Sequence, residues 1–159
     1  MKRMFFLALC LIATLYADAQ SNELYSRTSI KCMGTELDGS QTLRVLGYGR
    51  NKNDAKEQAM KNAVYAVVFT VIHEGVAGCN LRPLVTEVNA RERYEEYFNI
   101  FFTDHGEYNK YVTLQDTKRR SADKSKDKLG YLYEMTVRVL RSELKARFKQ
   151  DNVISPDHL

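Results

Sequence analysis

The pattern of apolar and polar positions in residues 43–72 predicts a strand, a glycine turn and a long helix. Leu43 and Val45 alternate with polar neighbours, which is the period of a strand with one buried face. Gly47 and Gly49 continue at the same spacing. Because glycine has no Cβ, the backbone of a helix can approach a strand closely at these positions. We therefore expect the following helix to pack directly on this strand.

The helix that follows the glycines carries a narrow stripe of small side chains. The stripe recurs every fourth residue and consists of Ala55, Ala59, Ala63 and Val67, a pattern that suits close packing on a sheet. Asp54 and Glu57 have the spacing of a capping box at its start, with Asn53 as the alternative cap. Residues 63–72 are apolar on almost every side, so a second element must cover them. The β-branched run Val67–Ile72 leaves a strand as the alternative there.

The other elements predicted from the sequence give a chain order of β-β-α-α-β-β-α. A first hairpin spans Thr28–Tyr48, and an amphipathic helix spans roughly 84–102. Tyr108–Arg119 and Leu129–Leu140 alternate as two strands joined by a polar loop. Ser142 is the expected cap of a last helix. This order predicts an α+β fold of two layers, in which an antiparallel sheet of about four strands carries helices on one face.

The strand, the glycines and the alanine-rich helix together resemble the FlgT-like N-terminal domain, which occurs in flagellar assembly protein T and in related small outer-membrane lipoproteins. The resemblance spans roughly Gln41–Leu140, and the matching positions are Gly47, Gly49, Ala55, Ala59 and Ala63. Proteins of that family are exported, pair one such helix with an antiparallel sheet and have no known enzymatic activity. The resemblance therefore implies an envelope location and a structural role, and it assigns no catalytic residue.

The first residues have the features of a secretory signal. Lys2 and Arg3 precede a short apolar run that is followed by a small-residue cleavage site, so we predict a signal peptide over residues 1–19. The remainder is predicted to form a single α+β domain over 20–150 and a flexible tail over 151–159. Such an exported protein is expected in the periplasm or at the outer membrane. The formal net charge of +4 is mildly basic and selects no class of partner.

Two cysteines, Cys32 and Cys79, remain after the predicted signal peptide. In an oxidising compartment, two cysteines in one small domain can form a disulfide. Two separate buried thiols are the alternative, because free cysteine is among the most buried residue types.

Short motifs that resemble chemical sites each lack a required residue. Gly47-Tyr48-Gly49 would need a third glycine where Lys52 stands to match the dinucleotide fingerprint. His73-Glu74 would need a second histidine where Ala77 stands to match the zinc-protease motif. No pair at the usual metal-ligand spacing occurs among the remaining candidates, which are His73, Cys79 and His105. The sequence therefore predicts no cofactor, no metal and no catalytic residue.

A basic segment, residues 118–128, stands at the tip of the predicted second hairpin. It holds two anions and six cations, which are Lys118, Arg119, Arg120, Lys124, Lys126 and Lys128. A solubilising loop and a contact with a polyanion or an acidic partner surface are both consistent with this composition. Nucleic acid is not the expected partner, because no aromatic side chains alternate with these cations as stacking platforms.

The predicted function is that of an exported, non-enzymatic binding or assembly module of the cell envelope that mediates protein–protein contacts. Peripheral association with the membrane is consistent with this prediction. The ten tyrosines suit such contacts. One alternative is a small exported hydrolase assembled in space from Cys79 and His73 or His105. Another is a soluble protein that binds a small ligand between helices and sheet. The aromatic run Tyr97–Phe102 is expected either to pack in the core or to form a docking patch.

Overall fold

The computed structural model describes residues 30–115, 124–126 and 130–155, with 124–126 described for the backbone alone. The predicted signal peptide over residues 1–19 therefore lies outside the described residues. The strands are β1 (Lys31–Thr35), β2 (Gln41–Gly49), β3 (Glu74–Gly75), β4 (Val112–Leu114), β5 (Lys124–Lys126) and β6 (Tyr131–Val139). The α-helices are α1 (Lys52–Phe69), α2 (Ala90–Arg93), α3 (Glu95–Phe101) and α4 (Arg141–Gln150), and a 3-10 helix spans Glu107–Tyr111.

The strands form one sheet in the order β3-β1-β2-β6-β4, and β5 pairs with the same edge of β6 as β4 does. β2 and β6 run antiparallel in register from Gln41 opposite Val139 to Gly49 opposite Tyr131. β3 is a two-residue strand parallel to β1. The core lies between one face of this sheet and the helices. The predicted α+β fold of two layers is therefore confirmed, with five strand positions across the sheet where about four were expected.

The predicted close contact between the glycines of β2 and the alanine stripe of α1 is confirmed. Ala55, Ala59 and Ala63 are fully buried against the sheet. A Cβ built on Gly47 would lie 2.6 Å from the Cβ of Ala59 and would overlap the carbonyl oxygen of Ala55. Gly49 lies as close to the first turn of the helix. The absence of a side chain on β2 therefore sets the distance between the two layers.

The start of α1 differs from the prediction. Asn51 is the N-cap, and its side-chain oxygen accepts hydrogen bonds from the backbone N–H groups of Asn53 at 2.9 Å and Asp54 at 3.1 Å. The helix therefore begins one turn before the position at which Asp54 and Glu57 could form a capping box, and that prediction is wrong.

The end of α1 is closed by a later segment of the chain. The helix ends at Phe69 and residues 70–72 belong to no strand, so the strand alternative for Val67–Ile72 is wrong. The backbone N–H groups of Leu84 and Val85 each donate, at 2.9 Å, to carbonyls of the last helical turn, those of Val67 and Val68. These bonds satisfy acceptors that a helix C-terminus leaves without partners.

The helix expected over 84–102 is wrong in its first third. Because the N–H groups of Leu84 and Val85 bond to the end of α1, the helical part begins later, as α2 and α3 with Tyr94 between them. Asn89, in the left-handed conformation with φ 59°, precedes α2. Val88, expected on the apolar face, is 81% exposed.

The aromatic run at the end of this region packs in the core. Phe98 and Phe101 are buried, and the Phe98 ring meets the Phe69 ring of α1 edge to face with centroids 4.7 Å apart. The Phe101 ring contacts Phe148 of α4 at 5.5 Å. α3 is therefore the cover that the apolar end of α1 requires, and α4 closes the cluster from the other side.

The strand expected over Tyr108–Arg119 begins later than predicted, and residues 116–119 lie outside the described range. Tyr108 turns inward within the 3-10 helix and is fully buried, and its hydroxyl donates to Glu57 Oε1 at 3.2 Å. β4 begins only at Val112 and pairs with β6. The strand expected over Leu129–Leu140 is confirmed as β6, with alternate residues buried.

The C-terminal end also differs from the prediction. α4 begins at Arg141 after Leu140 with no side-chain cap, so Ser142 is not its cap. Val153 and Ile154 are buried in the core, and the backbone carbonyl of Asn152 accepts from the Tyr94 hydroxyl at 2.9 Å. The part of the expected flexible tail up to residue 155 is therefore packed, and residues 156–159 lie outside the described range.

Candidate protein-interaction surface

One face of the sheet is turned away from the helices. We call it the open face and define it by side chains of β1, β2 and β6: Lys31, Thr42, Arg44, Leu46, Tyr48, Leu132, Glu134, Thr136 and Arg138. These positions alternate with the buried residues of the same strands, which is why they point to the opposite side. Within the described ranges, no helix covers this face.

The apolar part of the open face lies where β2 ends and β6 begins. Tyr48 stands directly opposite Leu132, and Leu46 stands one row away, opposite Glu134. Tyr48 is 37% exposed, and the other two apolar side chains are half-buried. A Cβ on Gly130 would lie 2.8 Å from the Tyr48 hydroxyl oxygen, so the tyrosine occupies the space that this glycine leaves. The result is a small aromatic and aliphatic surface set on a rigid strand pair.

Two cations stand opposite each other in the next part of the open face. Lys31 of β1 pairs in register with Arg44 of β2, and both side chains are exposed. The Lys31 ammonium lies 4.0 Å from a carboxylate oxygen of Glu74. Arg44 has no ion-pair partner among the residues that the structure describes. Like charges at directly opposed positions destabilise a sheet, so this arrangement works against folding.

The far end of the open face is held by the turn between β1 and β2. Arg138 donates to Ser40 Oγ at 2.7 Å and to Asp38 Oδ2 at 2.6 Å. Hydrogen bonds from the Ser40 hydroxyl and backbone N–H, helped by Arg138, hold the pKa of the Asp38 carboxyl below its usual range. The Arg138 charge is therefore neutralised within the fold, in contrast to that of Arg44.

The basic segment joins the sheet beside the apolar part of the open face. In β5, Ser125 stands opposite Leu132, with Lys124 opposite Tyr133 and Lys126 opposite Tyr131. The other predicted patch residues, Lys118, Arg119, Arg120 and Lys128, lie outside the described residues. Backbone pairing thus places Ser125 in the same row as Leu132 and Tyr48, whereas Lys124 and Lys126 stand at the alternate positions.

The candidates for catalysis do not come together as a free thiol and a base. Cys32 and Cys79 are joined in a disulfide, with sulfur atoms 2.07 Å apart, so Cys79 carries no thiol for the hydrolase alternative. The His105 backbone N–H donates to Glu57 Oε1 at 2.8 Å, and the imidazole is exposed. In the described ranges, no group of three His, Cys, Asp or Glu side chains has metal-binding geometry. None of the described helices combines the length and apolar character needed to cross a membrane.

The space considered for a small ligand beneath Tyr97–Phe102 is occupied by aromatic rings. An open groove of about 400 Å³ lies instead along the outer side of α3, lined by Glu95, Glu96, Asn99, Ile100 and Thr103. Beneath the helix, the rings of Phe98 and Phe101 contact Phe148. The groove is therefore separate from the layer between helices and sheet.

A buried arginine beside the disulfide loop is a feature that the sequence did not reveal. Arg141 is 9% exposed and donates to Gln41 Oε1 at 3.3 Å and to the carbonyl of Arg82 at 2.8 Å. Gln41 in turn donates to the carbonyl of Asn80 at 2.6 Å. Burial lowers the pKa of Arg141. In the sequence, this cluster was indicated only by a glutamine at an inward-facing position of β2, and the sequence did not identify the residues that bond to it. These contacts tie the loop after Cys79 to the start of α4.

Burial raises the pKa of two core tyrosines. The Tyr97 hydroxyl donates to Asp151 Oδ2 at 2.6 Å, and Tyr108 donates to Glu57; in both cases burial is the main cause and the carboxylate adds to it. Because the folded state favours the neutral phenol, its stabilising contribution is complete below the unfolded pKa of 10.0 and is lost as pH rises above it.

The folded chain is accordingly expected to lose stability as pH rises above about 10. The measurement is the urea midpoint at a series of pH values from about 8 to 11. Tyr97→Phe is the matched variant. It should be less stable than the parent at pH 8, because the bond to Asp151 is lost. Its midpoint should also fall less steeply with pH. Parallel pH curves for the two proteins would contradict the role assigned to Tyr97.

Comparison of the chain with known protein families, with curated proteins and with solved structures found no match. The resemblance to the FlgT-like N-terminal domain therefore stays a prediction. The case for a function depends on the geometry of the open face and on the disulfide.

Proposed function

We propose that this protein is an exported, non-enzymatic module that binds a partner protein of the cell envelope through the open face. The observation that carries the proposal is the asymmetry of the sheet. One face is packed against the helices, whereas the other presents Leu46, Tyr48 and Leu132 beside Arg44, which has no ion-pair partner in the described part of the chain. An aromatic anchor among aliphatic side chains with a charged surround is the usual composition of an interface centre.

The disulfide supports the exported location. Disulfides persist in oxidising compartments and are rare where glutathione and thioredoxin keep thiols reduced. The bond between Cys32 and Cys79 closes a sequence separation of 47 residues and fastens the loop after α1 to β1. An envelope location is also what the predicted signal peptide and the FlgT-like resemblance imply. The hydrolase alternative is not proposed, because its thiol is engaged in this bond.

The open face suits partner binding because its backbone is already ordered. Each of its central side chains stands on β2 or β6, which pair along their whole length. Association then costs little backbone entropy, because the backbone conformation is the same before and after contact. A contact built on Tyr48 also immobilises a side chain with few rotatable bonds.

Site-specific photo-cross-linking in the native host tests this function. A benzophenone amino acid is placed at Thr42 on the open face and, as the control, at Gln58, which is exposed on α1. We expect protein adducts from position 42 in the envelope fraction and markedly fewer from position 58. Non-reducing electrophoresis of the same fraction should show the Cys32–Cys79 bond. Equal yields at the two positions, or a reduced protein in the cytoplasm, would contradict the proposal.

A further inference from the structure

We propose that the open face binds a second copy of the chain in a two-fold interface, in which Arg44 of each copy meets Glu134 of the other. The inference rests on the proposed function, because the second copy is then the partner protein that the open face binds. Two features carry it. One is a cation and a carboxylate that have no ion pairs in the described part of the fold, and the other is their position beside Leu46.

Arg44 and Glu134 are opposite charges that stand close together on the open face. Both side chains are exposed, and neither has an ion-pair partner among the described residues. Arg44 stands opposite Thr136, and Glu134 lies two residues away on β6. Diagonal neighbours of this kind are about 7–8 Å apart, within reach of long side chains, yet these two do not pair within the described fold. Each charge therefore remains available to a contact from outside.

The other cations of the open face have carboxylates of their own. The Lys31 ammonium lies 4.0 Å from Glu74, and the Arg138 guanidinium lies 2.6 Å from Asp38. Arg44 is thus the cation of this face that the described fold leaves to a partner. Among the residues that define the open face, Glu134 is the single carboxylate.

A two-fold axis turns this arrangement into two identical ion pairs. In such an interface each contact occurs twice, so Arg44 against Glu134 brings with it Glu134 against Arg44. Leu46 lies beside both charges, because it stands directly opposite Glu134 and two residues from Arg44 on β2. The two copies of Leu46 would therefore meet between the ion pairs. The incoming carboxylate would also offset the repulsion between Arg44 and Lys31.

The carboxylate decides between a second copy and other occupants. Glu134 stands in the apolar part of the face, opposite Leu46 and two residues from Leu132. Any occupant that covers these apolar side chains also removes Glu134 from water, which is costly unless a cation meets it. An anionic lipid surface would place like charge against it. A second copy supplies a matching guanidinium by symmetry, together with apolar side chains of the same kind.

The size of the open face predicts a weak dimer. The nine residues of β2 span about 30 Å, and the three strands β1, β2 and β6 together are about 14 Å wide. Two such faces would bury on the order of 1,000 Å² in total, at the low end for specific interfaces. We therefore expect a dimer that dissociates on dilution.

Sedimentation equilibrium of the protein purified from its native host tests the dimer. The test variants are Arg44→Glu and Glu134→Arg, and their matched controls are Arg82→Glu and Glu92→Arg. The control residues are exposed and have no ion pair in the described part of the chain, and their substitution changes the net charge by the same amounts. Arg44→Glu places a carboxylate opposite Lys31, so this variant should be at least as stable as the parent.

The decisive sample is an equal mixture of Arg44→Glu and Glu134→Arg. Each variant alone should weaken the dimer about tenfold or more, because it sets like charges against each other at two places, whereas each control should change it less than about twofold. In the mixed dimer both contacts again join opposite charges. The dimer affinity of the mixture should therefore return to within about threefold of that of the parent.

Three outcomes would overturn the second copy as the partner. They are a monomer at every concentration up to about 1 mM, a dimer that the control variants weaken as much as the test variants do, and a mixture no more associated than its two components. If that mixture fails while the double variant Arg44→Glu/Glu134→Arg recovers the dimer, the two charges act within one copy and do not join two copies.

The cross-linking experiment separates this inference from the proposed function. A second copy as the partner predicts that position 42 gives adducts that contain two copies of the chain. Adducts that contain only other proteins would leave the proposed function standing and overturn the dimer. If position 42 gives no adducts, the proposed function fails first.

Discussion

Replacing Gly47 with alanine is expected to lower the free energy of unfolding by about 3 kcal/mol, the upper part of the usual cost of overpacking a core. The added Cβ would lie 2.6 Å from the Cβ of Ala59 and would overlap the carbonyl oxygen of Ala55. Neither neighbour is the mobile end of a long side chain. One is helix backbone, and the other is fixed by it. The variant can relieve the overlap only if α1 moves away from β2, and such a movement opens gaps along the whole alanine stripe.

Gly34→Ala provides the matched control for this prediction. Gly34 is also a strand glycine, but a Cβ built there meets no atom within 4 Å. Its substitution should change the free energy of unfolding by no more than about 0.5 kcal/mol. Urea denaturation followed by circular dichroism measures both variants. If Gly47→Ala were as stable as Gly34→Ala, the helix and the sheet would not be in the close contact that the structure shows.

The sequence was sufficient for the parts of the fold that depend on local periodicity. The alternation along β2 and β6 and the alanine stripe of α1 each repeat several times, and each repeat points to the same buried face. Glycine at positions 47 and 49 added the information that the two elements touch. These features are consistent with one another, so the order of elements and the layer arrangement followed from them.

The elements that were wrong depend on contacts between residues far apart in the chain. The segment at Leu84 and Val85 has an apolar pattern that suits a helix, but its N–H groups bond to the end of α1. Val153 and Ile154 follow a polar stretch that resembles a free terminus, yet they fill space beside the aromatic cluster. In both cases tertiary contacts outweigh local preference.

The candidate site was only partly predictable for a related reason. The basic segment is visible as a run of charges, but the pair formed by Lys31 and Arg44 depends on strand register. A bulge between Cys32 and Gly34 shifts that register, so residues 31 and 44 become opposed. No pattern within either strand specifies this match. The open face therefore emerged from the structure, whereas the sequence left the basic segment as a solubilising loop or a contact with a polyanion or an acidic partner surface.

Removing the disulfide by Cys79→Ala is expected to lower the free energy of unfolding by about 4 kcal/mol. In the chain-entropy account, closing a loop stabilises the fold by restricting the unfolded chain, with roughly 3 kcal/mol for a 15-residue loop and 4.7 kcal/mol for a 100-residue loop. The separation of 47 residues between Cys32 and Cys79 lies between these cases. Cys79 is the better position to change, because it is only partly buried whereas Cys32 is fully buried. Its substitution therefore adds little cavity cost.

The loop after Cys79 keeps other contacts, so the variant is expected to fold with the same sheet. The Gln41 side chain still donates a hydrogen bond to the carbonyl of Asn80, and Arg141 still donates one to the carbonyl of Arg82. Guanidinium denaturation with and without dithiothreitol is the measurement. Dithiothreitol should bring the parent to the stability of Cys79→Ala and leave the variant unchanged. If complete reduction left the guanidinium midpoint of the parent unchanged, the disulfide would not contribute to the stability of the fold. The argument that this chain depends on an oxidising compartment would fail with it, because a bond that contributes no stability gives the fold no reason to require one.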